Sequence, residues 1–433
     1  MKIILLGYGW MKKCLVSWWN KIHSYLGFPK TGSKTKSPLK KWTFLIYLNG
    51  QNDLRPEMDW AKSNLEKLTC LTEANLLVEI GRAPEELVHL LRPAYRNEKS
   101  QKCWYGVRRY QISMTGSKLI KKRRNSNLAD PKNLYNFIKW GLETYPAEKY
   151  ALIISGHGAP FLGILPDFSQ DRPYLMGIPQ MGEAIQQATI ETGQRIDLLL
   201  LDVCYANYIE FMYELCRHEV PLVRYLLTYD QEGPLAGIDY NIIIEHLCRE
   251  NAKENLDSVW QEIPDLLGPE VFVVVLEKEK LETVKQCAHT LAFFINLGKP
   301  EEGSPVKIDR KLLGELIYRQ KKALRQSIAR LTVYAQHNSS ADQGILLLAD
   351  RRTINRFNRR TYLEYAFCRN NDWAALFTQK GNRASDYGEI GFKPISMNRF
   401  LLLKYLEALN PEFPEKEQKV ILRELMRIRK WRL

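Results

Sequence analysis

The chain has 433 residues, of which 45% are apolar, 11% aromatic and 26% charged. That suits two or three domains with full cores and excludes a chain disordered throughout. The 25 Gly and 20 Pro follow no period, which excludes collagen-like order, and no run approaches the roughly 18 apolar residues of a membrane-spanning helix. Net charge is +14 and uneven: from Glu301 onward 26 Lys and Arg face 15 Asp and Glu. Such a field attracts anionic partners without dictating fold.

Met1–Gly27 has apolar runs broken by Lys12, Lys13 and Lys21, with no small-residue cleavage site, so it does not read as a signal peptide. Trp10, Cys14, Leu15, Trp18, Trp19, Ile22 and Leu26 suit one face of a short basic helix that docks or touches a membrane surface. Residues 28–41 are a linker by composition, so 1–41 is a basic extension.

Trp42–Asn49 reads as a buried strand stopped by Gly50, and Glu57–Leu68 as a helix. Asn75–Ile80 and Trp104–Ile112 read as strands, with Lys118–Asn127 a basic loop. Asp130 caps a helix that Pro131 opens. Tyr150–Ser155 is a short apolar strand ending in Gly156-His157-Gly158, and about twenty residues of loop follow. Gln180–Glu191 is helical. Ile196–Leu201 is the most apolar strand and ends in Asp202-Val203-Cys204. A helix over Ala206–Arg217, a strand over Leu222–Thr228, a turn-rich loop and a helix over Tyr240–Arg249 follow. Val271–Leu276 and a helix to about Leu297 close this part. Such alternation is that of an α/β fold with a mostly parallel sheet covered on both faces. Residues 298–308 look like a linker. Beyond them lie helical patterns over Leu312–Thr332, Tyr362–Phe367, Phe400–Leu409 and Glu417–Trp431, with a short strand at Gly344–Leu348, so 308–433 reads as a basic, mainly helical module.

Functional groups of such sheets collect beyond the carboxyl ends of the strands. Two of those ends hold His157 and Cys204. On neighbouring strands they suit thiol catalysis, because an imidazole generates the thiolate that a neutral thiol lacks. The flanking glycines let backbone approach a substrate and leave N–H groups for an oxyanion. The same residues also read as a core thiol and a structural histidine. The eight cysteines include no CxxC pair and no zinc-type spacing, and at this density a disulfide framework is not expected, which favours a reducing compartment, the cytoplasm, with secretion or a membrane surface as alternatives.

Several segments together resemble the clostripain family of cysteine peptidases. They are Trp42–Asn49 followed by Asn52-Asp53-Leu54, Tyr145–Tyr150 leading to Gly156-His157-Gly158, and Asp197–Asp202 leading to Cys204. Glu210, Tyr213, Glu214 and Leu215 in the next helix and the loop from Thr228 to Tyr240 complete the likeness, which covers about 42–300. The resemblance implies a caspase-like sandwich and a peptidase domain over 42–300. It makes Cys204 the nucleophile, His157 the general base and acid, and the N–H groups of Gly158 and Cys204 the oxyanion hole. It implies cleavage after Arg or Lys, with Asp202 in the specificity pocket and Asp230 or Glu232 as a second charge. On its own, Asp202 also reads as a cap on the following helix.

Two departures stand out. The loop reads Glu232-Gly233-Pro234 where the family has E-P-G. The only basic residues between His157 and Cys204 are Arg172, before Pro173, and Arg195, against a strand, so the expectation is activity as one uncut chain. No cofactor is required by this reading. Calcium enters by resemblance only, with Asp167, Asp171 and Asp239 as oxygen donors. The alternative is a caspase-like scaffold without activity. Its basic tail, Arg351-Arg352, Arg356, Arg359-Arg360 and Arg427–Arg432 among Phe357, Tyr362, Trp373 and Trp431, would bind nucleic acid or an acidic partner.

Overall fold

The first strand, β1 (Lys40–Gly50), is buried along most of its length because both faces of its sheet are covered. Leu45 and Tyr47 enter one core, while Phe44, Ile46 and Leu48 enter another on the opposite face. This period of two follows from the pleat. The computed structural model describes residues 39–93, 104–217, 221, 223–249, 256–299, 309–336, 344–377 and 392–431.

From β1 the chain passes through α1 (Arg55–Leu65), β2 (Ala74–Arg82), α2 (Glu85–Leu91), the hairpin β3 (Gly106–Ser113) and β4 (Gly116–Arg123), and α3 (Pro131–Thr144). Asp130 caps α3 by accepting from the Lys132 N–H at 2.9 Å. Then come β5 (Ala147–Ser155), the short strands β6 (Gly158–Ala159), β7 (Gly163–Asp167) and β8 (Tyr174–Met176), and α4 (Ile178–Thr192). Next are β9 (Ile196–Asp202), α5 (Ile209–Cys216), β10 (Val223–Tyr229), α6 (Tyr240–Arg249), α7 (Leu256–Leu267), β11 (Val271–Val275) and α8 (Lys278–Leu297). The remainder holds α9 (Arg310–Ala329), β12 (Val333–Ala335), α10 (Arg359–Leu363), α11 (Asp372–Ala375), β13 (Ile395–Ser396), α12 (Arg399–Leu409) and α13 (Glu415–Arg429).

Nine strands form the main sheet in the order β12-β11-β10-β9-β5-β1-β2-β3-β4. The five from β10 to β2 are parallel, and antiparallel strands extend both edges. One face carries α3, α4, α5 and α8, and the other α1, α6 and α7. This is the mostly parallel, helix-flanked α/β architecture expected from the sequence. Trp260 and Tyr225, with ring centroids 4.9 Å apart, anchor α7 to the second face. A second sheet of order β13-β8-β7-β6 stands over the His157 end. The stretch beyond 308 joins both sheets: β12 pairs with β11, and β13 with β8.

Several expectations need correction. The basic loop at Lys118–Asn127 is largely strand β4, an edge strand whose lysines face water, so no apolar alternation marks it. Gly344–Leu348 is no strand; only a single bridge joins Leu347 to Tyr208. The loop after Gly158 contains three short strands, too brief to show a period. The helix expected within Met1–Gly27, and residues 300–308 of the expected linker, lie outside the described residues.

Candidate active site

Strands β5 and β9 run parallel as direct neighbours, with Ser155 opposite Asp202. His157 and Cys204 each lie two residues past that pair, at the same end of the sheet. The Gly156 N–H donates to the Asp202 carbonyl at 3.2 Å, which ties the two exits together. Gly158 lies against Cys204 so closely that a Cβ there would come within 2.5 Å of the Cys204 carbonyl oxygen and 3.3 Å of its nitrogen. Only glycine fits that approach. His157, Gly158, Asp202 and Cys204 are thus brought together.

The histidine is oriented by a residue to which the sequence assigned no chemistry. Asp53, in the turn after β1, lies with Oδ2 3.0 Å from His157 Nε2. Its side chain is 1% exposed and that of His157 is 23% exposed. Burial alone would raise the Asp53 carboxyl. The His157 charge and hydrogen bonds from His157 and the Tyr405 hydroxyl outweigh it and hold the carboxyl below its usual range. The turn is itself pinned: Asn49 and Asn52 donate their side-chain amides to the Pro166 carbonyl at 2.9 and 2.8 Å. An Nε2–H given to Asp53 leaves Nδ1 as the basic nitrogen.

Cys204 is half-buried. Burial pushes its thiol up, as do the charges of Glu232 and Asp202, while the Gly233 N–H pulls the other way. A thiol pushed in that direction yields thiolate only with the help of a base. Tyr205 follows with a left-handed φ of 62°, and its N–H donates to the Gln231 carbonyl at 2.7 Å. The strained turn lifts Cys204 out of the strand toward the loop after β10.

Asp202 is buried. Ser155 Oγ donates to it at 2.8 Å and the Tyr229 hydroxyl at 2.7 Å, and the Tyr240 hydroxyl donates as well. These donors are all neutral. Burial holds its carboxyl above the usual range despite them. Gly237, at φ 73°, closes over it; a Cβ there would come within 2.6 Å of Oδ2. Asp202 does not cap the next helix: α5 starts at Ile209, after Tyr208, with no side-chain cap. Asp230 and Glu232 sit at the rim. Asp230 is half-buried just past β10, and exposed Glu232 accepts from the Tyr205 hydroxyl.

The other sequence candidates are occupied elsewhere. Asp167 accepts from the Leu128 and Ser169 N–H groups at 2.6 and 2.8 Å, and burial pushes it up to about 6. Asp171 accepts from the Tyr174 hydroxyl at 3.3 Å, and Asp239 from the Asn241 N–H at 3.0 Å. Among the described residues no three His, Cys, Asp or Glu side chains are grouped to hold a metal, so these aspartates do not fit a shared calcium site. In the basic tail Tyr362 is 0% and Trp431 3% exposed, and the Trp373 indole donates to the Ala349 carbonyl. Those rings are packing elements, not open platforms for bases. A polar cleft of about 830 Å³ lies away from the strand ends, lined by Glu183, Tyr213, Arg217, Glu282 and Lys285; Arg217 pairs with Glu183, and the Tyr213 hydroxyl donates to Glu282 and accepts from Lys285.

A profile of the clostripain family matches residues 71–343. The chain belongs to the clostripain family. It is a cysteine peptidase, a hydrolase acting on protein or peptide substrates. Among solved structures it is similar to a secreted C11 cysteine protease from Bacteroides thetaiotaomicron in complex with an irreversible peptide inhibitor. The identity is 15% and the TM-score 0.50, covering 77% of this chain and 99% of that one. It is similar also to an inactive zymogen C11 protease from Parabacteroides distasonis, at 16% identity and TM-score 0.50, covering 76% of this chain and 98% of that one. At these identities the likeness is one of fold, and it gives this clostripain-family chain the caspase-like sandwich. No curated protein matches it. Among the described residues no helix is long and apolar enough to cross a membrane.

Asp53 and Tyr405 are the residues that sequence reasoning missed. The signal for Asp53 was present: it closes the turn after a strand that parallel order sets beside the one ending at His157. For Tyr405 no local signal exists.

Proposed function

We propose that this peptidase cleaves after Arg or Lys, with Cys204 as nucleophile and His157 as general base and acid. The observation that carries the reading is the meeting of the two strand ends, with Asp53 3.0 Å from His157 Nε2. His157 Nδ1 takes the Cys204 proton as sulfur attacks the scissile carbonyl carbon. The carbonyl π pair moves to oxygen, where the N–H groups of Gly158 and Cys204 receive the charge. Collapse expels the amine, which takes the proton from His157, and leaves a thioester. Water then attacks the thioester and gives one proton to His157. Cys204 leaves as thiolate and recovers that proton, completing hydrolysis.

Asp202 supports the basic specificity. It is a buried carboxylate beside the nucleophile whose hydrogen-bond partners, three hydroxyls and the Ile238 N–H, are all neutral. A buried carboxylate without a cation is costly, and a substrate guanidinium or ammonium supplies the missing charge. Asp230 or Glu232 adds a second charge at the rim. We assign the dyad no cofactor, and its chemistry needs none. The cysteine pattern supports action in the cytoplasm.

The test is hydrolysis of fluorogenic peptides ending in Arg, Lys, Asp or Leu by the full chain and by Cys204→Ala, with calcium and with chelator. Arg and Lys cleavage, lost in the variant, is expected. Preferred cleavage after Asp or Leu would contradict the assigned pocket, and undiminished cleavage by Cys204→Ala would contradict the nucleophile.

A further inference from the structure

The mechanism above makes no use of the C-terminal stretch, yet one of its side chains reaches the reacting groups. Helices α12 and α13 form a hairpin with a core of its own. Leu402, Leu406, Ile421, Leu422 and Leu425 pack against Leu87, Val88 and Leu91 of α2 and against Phe168, apart from the two cores on the sheet. Polar contacts fix its seat. Asn410 Nδ2 donates to the Leu91 carbonyl at 2.9 Å and Trp431 Nε1 to the Gln170 carbonyl at 2.8 Å.

At the inner end of the hairpin the Tyr405 hydroxyl donates to Asp53 Oδ1 at 2.7 Å. Its ring stands edge-on to the His157 imidazole, with centroids 5.7 Å apart and planes at 86°. Phe168 packs against Tyr405 at 5.4 Å, so the phenol is held from behind. A carboxylate turns easily about its last torsion. A donor fixed on Oδ1 removes that freedom and leaves Oδ2 the nearer oxygen to Nε2, at 3.0 Å against 3.2 Å for Oδ1. The phenol edge then restricts the imidazole from its side.

We propose that Tyr405 is a positioning residue for His157, acting through Asp53, so that the seated C-terminal hairpin is part of the catalytic centre. The inference rests on the Cys204/His157 assignment and adds the element that orients the base. It also carries an electrostatic consequence. The phenol withdraws charge from Asp53, and without it the carboxylate would hold the imidazolium more tightly.

The experiment follows the titration of His157 by nitrogen-15 NMR of the full chain, in a Cys204→Ala background that removes coupling to the thiol. His157→Ala assigns the signal. Tyr405→Phe keeps the ring packing and is expected to raise the His157 midpoint by roughly 0.3 to 1 pH unit. Replacing Tyr405 by 3-fluorotyrosine, a stronger donor of nearly the same shape, is expected to lower it. With Cys204 intact, Tyr405→Phe is expected to reduce kcat by about three- to tenfold at unchanged KM. A merely structural tyrosine would move neither midpoint; identical titrations in all three proteins overturn the proposal. The assignment beneath it is tested separately by Cys204 alkylation with iodoacetamide at pH 7, resolved by peptide mass spectrometry. If His157→Ala slows alkylation but the Tyr405 variants leave the titration unchanged, Tyr405 loses its role and the Cys204/His157 pairing stands. If His157→Ala leaves alkylation unchanged, the pairing falls, and the role of Tyr405 with it.

Discussion

Asp53 Oδ2 and His157 Nε2 stand 3.0 Å apart across two neighbouring parallel strands, β1 and β5. The contact selects a tautomer, with Nε2–H toward Asp53 and a lone pair on Nδ1. Asp53→Asn keeps the size but offers an amide donor in place of an acceptor. That favours the opposite tautomer, with the proton on Nδ1 where the base is needed. The expected result is a fall in kcat of about 10²- to 10⁴-fold with little change in KM. Steady-state kinetics on one good substrate reads it, and a kcat within twofold of wild type would remove Asp53 from the mechanism.

Asp202 makes a separate prediction about selectivity. Asp202→Asn retains the hydroxyl partners and removes the charge. For peptides ending in Arg or Lys, kcat/KM is expected to drop by about 30- to 1,000-fold, the range for removing one partner of a buried charge pair. Cleavage of neutral peptides and alkylation of Cys204 are expected to change little. Acid acts in the same direction. Because burial holds the Asp202 carboxyl above the usual aspartate range, its protonation as pH falls discharges the pocket. KM for basic peptides should therefore rise at a pH where an exposed aspartate would still be charged. A KM flat across that range, or an Asp202→Asn enzyme that keeps its basic preference, would refute the role.

Glu210 and Glu214 of α5 make the third prediction, which concerns stability. Glu210 accepts from the Ala349 N–H at 3.0 Å and the Tyr362 hydroxyl at 3.3 Å, and Glu214 from the Ala366 N–H. Burial pushes both carboxyls up to about 7, in Glu214 despite Arg217 at 3.4 Å. An unfolded glutamate titrates near 4.3. Between those values the folded state binds more protons than the unfolded one, so stability falls as pH rises, until it levels off above about 7. For the pair the loss is on the order of a few kcal/mol. A melting series from pH 5 to 8 should show this decline in wild type and a flatter line in Glu210→Gln/Glu214→Gln. Parallel curves would contradict it.

Much of this arrangement was legible in the sequence, for identifiable reasons. Strands β1, β5 and β9 are buried on both faces, so continuous apolar runs mark them, and the glycines and polar residues at their ends marked His157 and Cys204. Strand β4 was not legible, because a polar edge strand has no buried face to encode. Nor were β6–β8, β12 and β13, which span two to five residues and owe their form to distant partners. Asp53 was read as part of a turn, since its meaning depends on β1 lying beside β5, and sheet order is not local information. Tyr405 lies 352 residues from Asp53 and reads as one more position on an amphipathic helix. The aromatic residues of the basic tail suggested stacking platforms; burial removes Tyr362 and Trp431 from that set.

The most direct measurement is covalent labelling of the full chain with a peptide chloromethyl ketone ending in Arg, located by mass spectrometry. The account predicts one adduct, on Cys204. It should form far more slowly in His157→Ala, and in Asp202→Asn it should lose its advantage over a reagent ending in Leu. An adduct on another cysteine, such as Cys70 or Cys287, or labelling of Cys204 indifferent to both substitutions, would contradict it.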